Sequence, residues 1–262
     1  MENVNKTLYI PLYGKAFVTY KGIILNDQKA KEIWDKEGFK LNGKAKSKWL
    51  AYFMAMRSAV IDEFVNTQIN NYPNAAVLHL GCGLDSRVLR INNKPEQFYD
   101  IDFEEVIHIR KQYFTQSQNC LMIASDVRNM AYLKDLSSEC AIIVMEGISM
   151  YLKMEEIKQM FVDFSQHFKH CIIIMDVYSE FAAKMSKFKN PINEVGVSEV
   201  YGIDDPKELE NDIISFESEL ELTPLKFINE LKCTEKMIFK KLYAGNFSKK
   251  LYKLYMYEGK SV

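Results

Sequence analysis

Histidine is scarce in this chain, and the arrangements that carry metal or nucleophilic chemistry are missing. The four histidines are His79, His108, His167 and His170. They form no H-x-x-x-H pair, and the sequence holds no P-loop, no G-x-S-x-G and no cluster with metal-ligand spacing. The five cysteines, Cys82, Cys120, Cys140, Cys171 and Cys233, are odd in number and widely spaced, without C-x-x-C. That argues against a zinc site or a disulfide framework and for a reducing compartment. The longest wholly apolar runs, "AIIVM" and "CIIIM", are too short to span a bilayer. The opening "MENVNKTLYIPLYG" has no charged-then-apolar secretion pattern, so a cytoplasmic location is expected. There is no charge excess either. With 34 basic and 35 acidic residues the net charge is -1, which argues against a dedicated partner of nucleic acid or of an anionic membrane.

What is present is enough apolar material for a core. Hydrophobic residues make up 48% of 262, sufficient for one large α/β domain. Five short apolar runs read as strands: 75–80, 97–102, 120–125, 140–145 and 171–176. Helical stretches are expected over 85–91, 104–117 and 154–169, with a turn over 127–139. Continuous apolar strands alternating with helices predict a parallel sheet covered on both faces. Residues 47–71 predict a helix with Ser47 as N-cap and Pro73 beyond its end. Its apolar stripe is Leu50, Phe53, Val60, Ile61 and Phe64. The tail 250–260 reads as a final antiparallel strand, with 232–242 as the strand before it. Residues 1–262 are read as a single domain, with a helical extension over 1–74 and an insertion forming a lid over 177–230.

The chemistry is expected at the strand ends, where open parallel sheets bind ligands. Gly81, Cys82 and Gly83 follow the first strand, and paired glycines let backbone approach a ligand closely, although an ordinary tight turn could also use them. A dinucleotide loop wants a third small residue and a helix start free of negative charge. Here Ser86 is a near miss and Asp85 would repel a diphosphate. A phosphate-free cation, S-adenosylmethionine, suits the loop better. Asp100 and Asp102 lie on one face of the second strand. Asp102, nearer the end, is favoured as acceptor for ribose hydroxyls, the other reading being a helix cap. Asp126 and Val127 after strand three can meet an adenine edge with a carboxylate and an N–H, or simply form a turn. Glu146 after strand four can neutralise an ammonium or sulfonium, or be a solvated loop acid. Arg57 falls on the greasy stripe of the 47–71 helix. A buried guanidinium needs an anion, either a bound carboxylate held bidentately or a structural acid, unless it snorkels outward. No histidine is expected at the cleft.

Taken together, "LHLGCGLDSRVLRI", "FYDIDFEEVI", "SDVRN" and "MEGISMYL" resemble the motifs of the leucine carboxyl methyltransferase family, which includes tetracenomycin-type polyketide O-methyltransferases. The resemblance spans residues 50–175, with "GKA" at 14–16 as a further echo. It implies an α/β class I methyltransferase fold, Rossmann-like, with a seven-stranded mostly parallel sheet, an antiparallel last strand, N-terminal helices and a lid insertion after strand five. It implies that Arg57 holds the methionyl carboxylate of S-adenosylmethionine, with help from Lys15. Gly81 would line the methionyl part, Asp102 would bind ribose, Asp126 and Val127 adenine, and Glu146 would sit near the amino group. Glu104 replaces the family's proline, and Val127 its leucine.

A carboxylate acceptor is ionised at neutral pH and needs no general base, whereas a phenol usually does. The absence of a cleft histidine therefore favours O-methylation of a small carboxylic acid. Tyr151, Asp176, Tyr178 and Glu180, near the ends of strands four and five, are the candidates for acceptor contact. The competing readings are a protein C-terminal carboxyl methyltransferase, a non-catalytic S-adenosylmethionine or S-adenosylhomocysteine binder, and an NAD-dependent oxidoreductase.

Overall fold

The computed structural model describes residues 8–189 and 199–260; residues 190–198 of the expected lid lie outside them. Three helices come first: α1 (Tyr9–Lys21), α2 (Gln28–Glu37) and α3 (Lys48–Asn71). Then follow β1 (Ala76–Leu80), α4 (Arg87–Arg90), β2 (Phe98–Asp102), α5 (Glu104–Arg110), β3 (Cys120–Ala124), β4 (Cys140–Met145), α6 (Met154–His167) and β5 (His170–Tyr178). The chain continues through α7 (Glu180–Lys189), β6 (Ile214–Leu220), α8 (Leu225–Asn229), α9 (Cys233–Tyr243), α10 (Asn246–Leu251) and β7 (Tyr252–Lys260).

The strands form one seven-stranded sheet in the order β3-β2-β1-β4-β5-β7-β6. The first five are parallel, and β7 runs antiparallel to both of its neighbours. Alternation along each strand divides the apolar side chains between two faces. Val77, Ile142 and Ile172 pack with Tyr52, Ala55 and Ile61 of α3 on one face. Leu78, Ile143 and Ile173 pack with Ile157, Phe161 and Phe164 of α6 on the other. Both faces are covered, which is why the central strands read as unbroken apolar runs. The order reverses between β1 and β4, so the loops after those strands splay apart and leave a crevice.

Three expectations about the elements are corrected. The stretch 232–242 is helical from Cys233 onward, not a strand: the spacing of Phe239 and Tyr243 turns both rings inward, onto Tyr52 and Phe53. The strand beside β7 is instead β6, inside the stretch read as a lid. It is an edge strand whose outward positions are Ser215, Glu217 and Glu219, and that polarity disguised it. The helix expected over 104–117 ends at Arg110. There the guanidinium turns in over the Phe114 ring, 4.1 Å from its centroid, and residues 111–113 form a turn. Ser47 does precede α3, but its side chain makes no capping bond. Among the described residues, no helix is long and apolar enough to cross a membrane.

Leu78 is fully buried in the central strand. Leu78→Ala should lower the unfolding free energy by about 2–5 kcal/mol in urea titrations, the range for a cavity in a packed core. A change under about 1 kcal/mol would mean that the sheet is less tightly packed than described.

Candidate active site

Beneath the reversal point lies a cavity of about 330 Å³, within the range of small-molecule sites. All nine residues expected at a cofactor, Lys15, Arg57, Gly81, Cys82, Gly83, Asp102, Asp126, Val127 and Glu146, border it. So do Tyr151 and Tyr178 among the acceptor candidates.

The glycine loop is shaped by close approach. Gly81 has φ +65°, and a Cβ there would sit 2.2 Å from Cγ2 of Ile148. Only a residue without a side chain fits both the backbone and the space. The loop is pinned from below by Arg110, which donates to the carbonyls of Gly83 at 2.9 Å and Asp85 at 2.6 Å. Arg110 is anchored in turn by Asp100 at 2.7 Å. The two acids of β2 thus divide their work. Asp100 is sealed beneath the loop, while Asp102 borders the cavity and accepts from the N–H groups of Gly83 and Phe103, both at 2.8 Å. Burial raises the Asp102 carboxyl above its ordinary value, and those two N–H bonds only partly offset it. Asp102 does not cap α5.

Arg57 is 3% exposed and is held by groups of the protein itself. Its Nε donates to Glu146 at 3.0 Å, and its Nη1 donates to Asp176 and to the Tyr252 hydroxyl, both at 2.6 Å. Glu146 also accepts from Ser58 at 2.7 Å and from Arg87. Asp85 pairs with Lys15 at 2.7 Å and Arg90 at 2.8 Å. Arg90 reaches Asp27 and Asp62, each at 2.7 Å, and Arg87 joins Asp62 at 3.0 Å. The cluster therefore holds five carboxylates and four cations, almost wholly out of water. Burial would raise every one of those acids. At Glu146, Arg57 and Arg87 outweigh burial and hold the carboxyl at about 2. At Asp85, Arg90, Lys15 and Arg87 do the same and hold it well below the carboxylate range. At Asp62 and Asp176 burial wins and the carboxyls are raised.

Two acceptor candidates are corrected. Asp176 is fully buried behind the cavity wall, where it accepts from Arg57, Tyr252 and the Gly147 N–H. Glu180 faces outward and pairs with Lys184 at 3.0 Å. The expectation about histidine is also corrected: His79 borders the cavity floor, although its Nδ1 lies 3.2 Å from Asp100. The charge argument from Asp85 changes in kind, because Lys15 and Arg90 neutralise that carboxylate. Asp126 is engaged as well: a hydrogen bond from Arg128, Nε at 2.9 Å, lowers its carboxyl. Sequence reasoning missed Tyr252, which enters from the last strand, and the pair Arg87 and Arg90. Their spacing on one helical face, next to the glycine loop, was the available signal.

Truncating one partner of a buried ion pair leaves the other uncompensated. Asp176→Asn should therefore cost about 3–5 kcal/mol of unfolding free energy, and Tyr252→Phe less. Glu146 has a folded value below its unfolded one near 4.5. Its stabilisation is complete above the unfolded value and vanishes as pH falls toward about 2. Wild type should lose on the order of 3 kcal/mol across that window, while Glu146→Gln starts lower and changes less. Parallel pH curves for the two proteins would refute the assignment.

Residues 3–164 match the leucine carboxyl methyltransferase family. The tetracenomycin polyketide synthesis O-methyltransferase TcmP of Streptomyces glaucescens is 22% identical over 243 residues, covering 91% of this chain and 90% of that protein. The S-adenosyl-L-methionine-dependent methyltransferase dpfgK of Gibberella zeae is 23% identical over 237 residues, covering 81% and 80%. Among solved structures, a putative methyltransferase from Thermobifida fusca superposes with a TM-score of 0.57 at 11% identity, covering 86% of this chain and 91% of that one. The magnesium protoporphyrin IX methyltransferase of Synechocystis superposes with a TM-score of 0.54 at 11% identity, covering 89% and 93%; both likenesses are of fold. With the family matched across more than half its length, this chain belongs to the leucine carboxyl methyltransferases and is an S-adenosylmethionine-dependent methyltransferase.

Proposed function

We propose that the chain methylates a carboxylate oxygen of a small, largely apolar acid, polyketide-like in character. One observation carries this reading: the phenols on the acceptor side of the cavity, Tyr151 and Tyr252, stay protonated. Burial raises the phenols of Tyr151 and Tyr252 far above neutrality, so they donate hydrogen bonds and cannot serve as bases. His79, at the cavity floor with its Nδ1 3.2 Å from Asp100, is read as a neighbour of the cofactor rather than of the acceptor. An acceptor that arrives already ionised needs no base. Apolar neighbours such as Leu50, Met54 and Met150 line the same cavity and suit a greasy acid.

The residues present fit the cofactor. S-adenosylmethionine supplies an electrophilic methyl group on a positively charged sulfur. The surplus carboxylate of the buried cluster matches a ligand of net positive charge. The bare backbone at Gly81 allows close approach, and Asp102 keeps lone pairs for ribose hydroxyls. In this reading Asp126 and Val127 hold adenine, and Arg57 with Lys15 holds the methionyl carboxylate. Asp176 and Tyr252 keep the Arg57 guanidinium fixed, so it need not reorganise when ligand binds. Glu146 sits beside the amino group. The walls orient the acceptor and exclude water, which is the main task in an in-line displacement.

Arg57→Ala should weaken S-adenosylhomocysteine binding in calorimetry by about 1.5–3 kcal/mol, with Arg57→Lys intermediate. Because burial raises Asp102, affinity should begin to fall as pH drops while still above the ordinary carboxylate value of about 3.9. Asp102→Asn should flatten that profile; identical profiles would remove Asp102 from the ribose site. With labelled cofactor, a panel of aromatic and aliphatic carboxylic acids should yield methyl esters, while matched phenols should not. Turnover of phenols alone, or of a peptide C-terminus alone, would overturn the small-acid reading.

A further inference from the structure

The balanced charge of the whole chain conceals a strongly basic surface. Residues 232–253 contain seven lysines and a single acid, Glu235, in a chain of net charge -1. Glu235 is already engaged by Lys48 at 2.8 Å and Tyr52 at 2.9 Å. Lys249 pairs with Glu221 at 2.5 Å, and Lys253 lies 3.9 Å from Glu219. Lys232, Lys240, Lys241 and Lys250 are exposed and make no ion pair among the described residues.

Large apolar side chains stand out from the same surface. On α9 and α10, Met237 is 65% exposed, Leu242 50% and Phe247 66%, with Ile238 beside them. Phe181 of α7 extends the patch, its ring 6.4 Å from that of Phe247. The inward face of α9 is satisfied by Phe239, so these residues are not a core face left over. Clustered exposed apolar groups mark an interaction site.

We infer that α9, α10 and the flank of α7 form a peripheral docking surface for an anionic phospholipid bilayer. Lysine heads interspersed with Met, Ile, Leu and Phe suit the headgroup region, where the cations meet lipid phosphates and the apolar groups enter the acyl boundary. Protein interfaces are depleted in lysine and enriched in arginine, yet every cation in this stretch is lysine. A second copy docked on the same face would set lysines against lysines. The surface adjoins the cavity wall. Tyr252 follows α10 directly, its ring lies 5.0 Å from that of Tyr178, and both line the cavity. The inference does not depend on which acid is methylated.

Flotation of the full chain with vesicles tests it. The protein should float with phosphatidylcholine vesicles containing roughly one-third phosphatidylserine and stay behind with pure phosphatidylcholine. Raised salt should release it. The double variant Lys240→Glu, Lys241→Glu should bind anionic vesicles roughly tenfold or more weakly, and Phe247→Ser should also weaken binding. Unchanged S-adenosylhomocysteine affinity in both variants establishes that they are folded. No flotation with either vesicle, equal flotation with both, or a double variant that floats like wild type would overturn the inference. So would a dimer in sedimentation velocity that the double variant dissolves, because that would assign the face to a second copy.

Discussion

Arg57, sealed from water in the middle of α3, must be neutralised by groups that distant parts of the chain bring to it. Glu146 arrives from the end of β4, Asp176 from the end of β5 and Tyr252 from the start of β7. A buried guanidinium left alone costs several kcal/mol, so these strand ends must converge on one point. That convergence fixes the register of the crevice between β1 and β4. It also orients the helical N-terminal region over the sheet, because α1 is tied to the glycine loop by Lys15 and Asp85. The same charges that hold the layers together form the floor of the cavity.

Most of this plan was legible in the sequence. The five parallel strands announced themselves as unbroken apolar runs, and an arginine on an apolar helical stripe signalled a partner anion, either a bound carboxylate or a structural acid. The cavity-lining positions after β1, β2, β3 and β4 followed from where strands end. Which acid does what was not legible. Asp100 and Asp102 share a face, and only the reach of Arg110 from α5 draws the first beneath the loop. Asp176 and Glu180 looked alike as strand-end acids, but one closes a buried pair and the other meets solvent. The edge strand β6 was disguised because one of its faces is wet. Helix α9 was misread because its lysines interrupt the apolar spacing.

Neutralisation and reactivity are linked through burial. The environment that keeps Glu146 charged beside two guanidiniums also keeps Tyr151 and Tyr252 protonated. In the proposed reaction these phenols align and shield an acceptor that supplies its own negative charge. Carboxylates satisfy that demand without help.

The partners of Arg57 are also separated in time. Glu146 follows it by 89 residues, Asp176 by 119 and Tyr252 by 195. A nascent chain that has emerged only as far as β5 has most of the sheet, yet it lacks the hydroxyl that Arg57 shares with Asp176. Until β7 inserts between β5 and β6, that hydroxyl is missing, and so is the part of the cavity wall that Tyr252 forms. A chain that stops before Tyr252 keeps both ion pairs of Arg57 but lacks the hydroxyl that joins Arg57 to Asp176.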